Sequence, residues 1–281
     1  MLPMNIIRYF TESFKRKKAR RITREYPALM QVFELEKEGS IEFANWDNPL
    51  FTQIVLNQPT IDFFKKFIKQ GDLVIDIGSN VGDTTVPMAL AAGKEGITLG
   101  FEPNPYVYKI LQKNAGLNKN KTNIIPLPYA ISAEEDEYYY ISSEASFSNG
   151  GISPTKTSAH GNFVYPEKIR GVNLKQFLEK EYGSVISRLS FIKVDTEGYD
   201  KEIIKSIADL IVKYRPVIVA ESFGNNTNVE KIELYTIIAE MGYDIFYFYD
   251  FDSNAEVIPL KQSNEITNYK QTINIYAIPK A

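Results

Sequence analysis

Three short segments carry residue types spaced for chemistry at the ends of strands. The first is Val74-Ile-Asp-Ile-Gly-Ser-Asn-Val-Gly-Asp-Thr-Thr85, an apolar run that stops in a glycine turn and leads into a helix start. Gly78 and Gly82 lack Cβ, so a ligand can approach the backbone there closely. The Gly78-x-x-x-Gly82 spacing is not the G-x-G-x-x-G of dinucleotide sites, and no Gly-Lys-Ser/Thr follows as in a P-loop. Asp76 at the strand end and Asp83 at the helix start would repel a pyrophosphate and suit a cationic amino group or hydroxyls. The second segment is Phe101-Glu-Pro-Asn104. An acid at such a strand tip, here Glu102, accepts hydrogen bonds from both hydroxyls of a ribose. The third is Asp195-Thr-Glu-Gly198, directly after the apolar run Leu189-Ser-Phe-Ile-Lys-Val194.

These segments need strands that end side by side. From Gly71 onward apolar runs alternate with helical periods: strands over 73–77, 97–101, 123–127, 189–194, 217–220, 245–249 and 272–278, with helices over 84–92, 106–117, 174–182, 200–213 and 229–241. That alternation predicts an α/β fold with a doubly wound, mainly parallel, seven-stranded sheet. A polar loop joins the last two strands, which predicts hairpin-like pairing and an antiparallel edge strand. Residues 1–70 read as an N-terminal helical extension, with an amphipathic helix over 5–26 and a second helix around Phe63, Phe64 and Phe67. Residues 71–281 read as the main domain, with an irregular substrate-side insert at about 134–170.

Composition narrows the function classes. The 281 residues are 44% hydrophobic and 24% charged, with a formal net charge of −3. A globular core is therefore expected, and a generally basic nucleic-acid binder is not. The absence of cysteine excludes disulfides, thiolate metal sites and a cysteine nucleophile, and one histidine, His160, cannot form a multi-histidine zinc site. No charge-free run is long enough to span a bilayer, and the basic run follows the short apolar N-terminal stretch instead of preceding it as in a signal peptide. A cytoplasmic location is expected. Lys15, Arg16, Lys17, Lys18, Arg20, Arg21 and Arg24 make the first helix basic, suited to a solvated face or to peripheral contact with an anionic membrane.

The glycine turn and Glu102 together describe a ribose-bearing ligand without a pyrophosphate, which fits S-adenosylmethionine. With Ala130-Ile-Ser132, Phe191-Ile-Lys-Val-Asp-Thr-Glu-Gly198 and Arg215-Pro-Val-Ile-Val-Ala-Glu221, they resemble, in order over about residues 71–223, the FkbM family of S-adenosylmethionine-dependent methyltransferases. The resemblance implies a Rossmann-like fold whose last strand is antiparallel. It implies that Asp76, Gly78, Asn80 and Gly82 line the methionine end of the cofactor. Glu102 would hold the ribose, and Ala130 and Ile131 would border the adenine. Ser79 and Asp83 in the same turn, and Pro103 and Asn104 after Glu102, join that set. Asp195 would face both cofactor and substrate. The segment Asn173-Leu-Lys-Gln-Phe177 lacks the acids that family members often carry before the fourth strand.

The family's usual acceptor is a hydroxyl, often on a sugar or natural product. Asp195-Thr-Glu-Gly198 replaces the Asn/Asp-Pro-Pro-aromatic motif of many nucleobase methyltransferases, so nucleic acid is not the expected acceptor. Transfer to an alcohol requires positioning the hydroxyl and removing its proton. His160, Asp195 and Glu197 are the candidate bases. Alternatively, Asp195 and Glu221, at the ends of neighbouring strands, could share a divalent cation such as Mg. Tyr138, Tyr139, Tyr140, Phe147, Phe163 and Tyr165 make the insert a candidate sugar-binding wall, with 247–252 opposite. The expected activity is O-methylation of a carbohydrate, as a surface polysaccharide or a nucleotide- or lipid-linked sugar. A small natural product is the alternative acceptor, and an inactive cofactor-binding partner subunit is the non-enzyme alternative.

Overall fold

A computed structural model describes residues 4–196 and 198–280. In chain order the strands are β1 (Ala28–Leu35), β2 (Gly39–Trp46), β3 (Leu73–Ile77), β4 (Ile97–Phe101), β5 (Ile124–Leu127), β6 (Ala130–Ile131) and β7 (Asp136–Ser142). They continue as β8 (Gly151–Ser153), β9 (Phe163–Val172), β10 (Leu189–Val194), β11 (Val217–Ser222), β12 (Tyr243–Phe248), β13 (Val257–Leu260) and β14 (Ile273–Pro279). The helices are α1 (Met4–Ala19), α2 (Gln58–Lys65), α3 (Thr85–Ala92), α4 (Pro105–Gly116), α5 (Leu174–Tyr182), α6 (Asp200–Ser206), α7 (Ala208–Tyr214) and α8 (Asn228–Glu240).

The main sheet runs β13-β12-β14-β11-β10-β3-β4-β5. Strands β11, β10, β3, β4 and β5 pair in parallel, and β14 lies antiparallel between β11 and β12. The chain is doubly wound because successive residues of one strand face different helices. Leu73, Ile75 and Ile77 of β3 belong to one core cluster with residues of α5–α8, whereas Val74 belongs to another with Phe63 and Phe64 of α2 and Met88 of α3. Every residue of β3 is buried, as a central strand covered on both faces requires. Caps set where helices start at the ligand side: the Asn104 side chain accepts from the amides of Tyr106 and Val107, with Pro105 fixing the first turn of α4.

Three expectations change. The sheet has eight strands, not seven, because the polar loop before the last strand contributes β13. The antiparallel final strand is internal, and the antiparallel edge is β13, paired to β12. The N-terminal extension is not purely helical. The first helix stops at Ala19, and β1 and β2 form an antiparallel hairpin turned at Gly39, whose φ is +68°. Its apolar residues Ile41, Phe43 and Trp46 are buried against Val81, Val86, Val107 and Ile110. Asn114 staples it to the glycine turn, accepting from the Ala44 amide at 2.7 Å and donating to the carbonyls of Ala44 and Val81 at 2.9 and 2.7 Å.

The insert is ordered too. Strands β6-β9-β7-β8 make a second sheet of four, with β7 antiparallel to both β8 and β9. Among the described residues, no helix is long and apolar enough to cross a membrane.

Candidate active site

The carboxyl ends of β10, β3, β4 and β5 lie side by side, and a cavity of about 490 Å³ opens over them. Its floor follows that order: Asp195 and Thr196 after β10, Gly78, Asn80 and Asp83 after β3, Glu102, Pro103 and Asn104 after β4, and Tyr129, Ala130 and Ile131 after β5. The insert supplies further lining, including Tyr138, Tyr140, Asn149, Gly151 and His160.

The glycine turn is tight. Gly78 adopts φ +78°, and a Cβ there would lie 1.9 Å from the carbonyl oxygen of Asp195. Its amide and that of Ser79 both donate to the Phe101 carbonyl. The turn thereby joins three strand tips. Glu102, 7% exposed, accepts from the Asn80 amide at 2.9 Å on one carboxylate oxygen and from the Asn104 amide at 2.7 Å on the other. Each oxygen keeps acceptor capacity toward the cavity. Burial pushes this carboxyl up to about 7, although both amides favour its charged form. Burial likewise pushes Asp83 up to about 6, with Lys193 opposing.

Several expected ligand residues stand behind the cavity wall instead of on it. Asp76 is fully buried and accepts from the hydroxyls of Thr84 and Thr85 at 2.9 and 2.6 Å, at the start of α3. Ser79 donates to the Asp76 carbonyl, and Gly82 packs against Leu111. These three shape the turn. Of the candidate bases, Asp195 lines the cavity with its side chain 38% exposed. His160 lines it from the insert, its exposed ring lying over Gly151. Glu197 lies outside the described residues.

Asp195 and Glu221 do not meet in the cavity. Glu221 is not part of its wall, and its amide donates to Asp200 at 2.9 Å. Among the described residues, no three His, Asp or Glu side chains gather as a metal site would need. Asp200 is itself buried, accepts from the amide and hydroxyl of Thr196, and is pushed up to about 6 by burial. It holds the loop after β10 in place. Of the two aromatic walls expected around the acceptor, the insert supplies Tyr138 and Tyr140, while no residue of 247–252 reaches the cavity. Phe147 instead anchors the insert: it stacks on Tyr106 at 5.2 Å, and its carbonyl accepts from Asn104 Nδ2 at 2.7 Å.

Sequence reasoning missed Lys193. Parallel register sets it beside Asp76, because Lys193 of β10 pairs with Asp76 of β3. Its ammonium is 3.0 Å from Asp195 and 3.4 Å from Asp76, with only 2% of the side chain exposed. Burial opposes its charge, but Asp195, Asp76 and Asp83 outweigh burial and raise it above the usual lysine range. The signal was a single lysine inside a buried apolar strand, which needs an acid partner.

The sheet is doubly wound and Rossmann-like, with the cavity at the carboxyl ends of its parallel strands. The chain belongs to the FkbM family: the methyltransferase FkbM domain matches residues 76–245. It is 24% identical over 165 residues to the hexuronic acid methyltransferase AglP of Haloferax volcanii, a match covering 58% of this chain and 61% of that protein. The solved methyltransferase FkbM from Methylobacillus flagellatus KT aligns over 96% of this chain and 52% of its own, with 12% identity and a TM-score of 0.47. The S-adenosylmethionine-dependent O-methyltransferase of Thermotoga maritima aligns over 91% and 78%, with 12% identity and a TM-score of 0.41.

Proposed function

We propose that the chain is an S-adenosylmethionine-dependent O-methyltransferase acting on a hydroxyl of a carbohydrate. The observation that carries this reading is the row of groups across four adjacent strand tips. The turn at Gly78 and Asn80 suits the amino-acid end of the cofactor. Glu102 suits the ribose hydroxyls, and Tyr129, Ala130 and Ile131 suit the adenine. The donor set fits: a buried carboxylate with spare acceptor capacity, and carboxylates of Asp83 and Asp195 near where an ammonium and a sulfonium would lie.

The cofactor, when bound, supplies an electrophilic methyl group. The chain's own residues orient the acceptor and handle its proton. Asp195, held by the Lys193 ammonium, accepts the hydrogen bond of the incoming hydroxyl at the cavity floor. His160, lining the cavity from the insert, is the second candidate to take the proton. Tyr138 and Tyr140 offer faces for a sugar ring, with Asn149 for its hydroxyls. The hexuronic acid relative supports a sugar acceptor, and the acidic floor favours a neutral hydroxyl over a phosphate-rich polymer.

Transfer of labelled methyl from S-adenosylmethionine to a panel of glycosides, nucleotide sugars, small phenols and RNA tests this. Labelling of glycosides with loss of turnover in Asp195→Asn supports it. Labelling confined to phenols or RNA contradicts the acceptor assignment.

A further inference from the structure

Helix α1 presents two phenylalanines to solvent, Phe10 and Phe14, one turn apart and 64% and 70% exposed. Lys17 follows on the same face, and Lys18 lies one turn beyond Phe14. Between Glu12 and Glu25 the sequence has seven cations and no acid, although the whole chain carries −3. Cations in the last helical turn complement the helix dipole, which accounts for some of them. It does not account for two exposed aromatic rings among them. A solvated face has no use for the rings, and a purely ionic partner has none either.

The helix is coupled to the cavity. Ala19 at its end is fully buried against the core beneath the hairpin. The Ala145 amide donates to the Arg20 carbonyl at 3.2 Å, and Arg20 Nε pairs with Glu144 at 3.2 Å. Glu144 also accepts from the hydroxyl of Ser148, and Ser148 through Ile152 form part of the cavity wall. One carboxylate thus joins the basic segment to the acceptor side of the site.

We propose that α1 is an interfacial helix that docks this protein on an anionic phospholipid surface, with Phe10 and Phe14 entering the acyl boundary and the cations meeting headgroup phosphates. Docking places the insert wall of the cavity at the bilayer surface. On the methyl-transfer reading above, that arrangement presents the site to lipid-linked sugars; the docking itself does not depend on that reading.

Co-sedimentation of the full chain with vesicles tests the proposal without cofactor or acceptor. Binding is expected to vesicles of phosphatidylcholine mixed with phosphatidylglycerol, and not to phosphatidylcholine alone, and high salt is expected to reverse it. Phe10→Ala with Phe14→Ala should weaken partitioning at least ~10-fold. Lys15→Gln, Lys17→Gln and Lys18→Gln together should weaken it to a similar degree. All these side chains are solvent-exposed, so an unchanged melting temperature by circular dichroism is expected for both variants. Absence of binding to the anionic vesicles overturns the proposal. So does binding indifferent to the phenylalanine pair, or equal binding to soluble polyphosphate, which would make the segment a general polyanion site.

Discussion

Replacing Lys193 with methionine keeps the volume of the side chain and removes the charge beneath the cavity. At 3.4 Å from Asp76, an effective dielectric of ~20 makes the pair worth about 5 kcal/mol. Methionine recovers the cost of burying an ammonium, and Asp76 keeps the hydroxyls of Thr84 and Thr85. Asp195, more than a third exposed, loses little because solvent screens it. Losing one partner of a buried pair costs ~3–5 kcal/mol, and the retained hydroxyls place this variant near the lower end, about 3 kcal/mol at pH 8. The effect has a pH signature. Lys193 is raised above the lysine range, so its contribution in the native protein is complete throughout the acid and neutral range and is lost only as pH climbs through that raised value. Urea unfolding of both proteins at pH 8 measures this. Adding Asp76→Asn should return at least half of the loss at pH 8. A deficit under ~1 kcal/mol at pH 8, or no recovery on adding Asp76→Asn, would refute the reasoning.

Gly78→Ala should cost ~1–3 kcal/mol for its positive φ alone, with a further clash on the Asp195 carbonyl; thermal melts should show the loss, and cofactor binding should vanish with it. Trp46 is the single tryptophan and is buried with the hairpin. Its fluorescence transition should therefore coincide with far-UV circular dichroism, and a separate earlier transition would mean that the hairpin is not part of the cooperative core. Glu102 is raised from 4.5 to about 7, so the folded chain binds that proton more tightly than the unfolded one. Stability from this group consequently falls, by about 3 kcal/mol, as pH rises from ~4.5 to ~7. The ionised carboxylate is the better acceptor for ribose hydroxyls, so affinity for S-adenosylhomocysteine should climb up to ~10-fold per pH unit below ~7 and level off above it; calorimetry across that range would expose a flat profile if Glu102 does not touch the ligand.

The parts of this molecule that the sequence made legible are those with local signatures. Buried parallel strands are short, mostly apolar runs, and their turns are marked by Gly78 and by Glu102 before a proline-started helix, so the alternation of strands and helices and the turns that follow β3 and β4 could be read. The hairpin could not. Leu29, Met30, Val32 and Phe33 mix the two periods: the first three are exposed and only Phe33 packs on the core, so β1 has no clean buried face. What fixes the hairpin is Asn114, seventy residues away in sequence. The insert hid its strands because Ser, Gly and Tyr carry weak periodicity, and long-range pairing between β7 and β9 decides them. Spacing does not say which way Asp76 faces; in the fold its carboxylate meets Thr84, Thr85 and Lys193. Lys193 was missed for the converse reason: its partner lies on another strand, and only the register between β3 and β10 brings the two together.

The most direct test of the central assignment is calorimetric titration of S-adenosylhomocysteine into the wild-type chain and into Glu102→Ala. The account predicts micromolar binding by the wild type and at least ~10-fold weaker binding by the variant, a loss of about 1.4 kcal/mol or more. Absence of binding to folded wild-type protein, repeated with candidate sugar acceptors present, or equal binding by the two proteins, would contradict it.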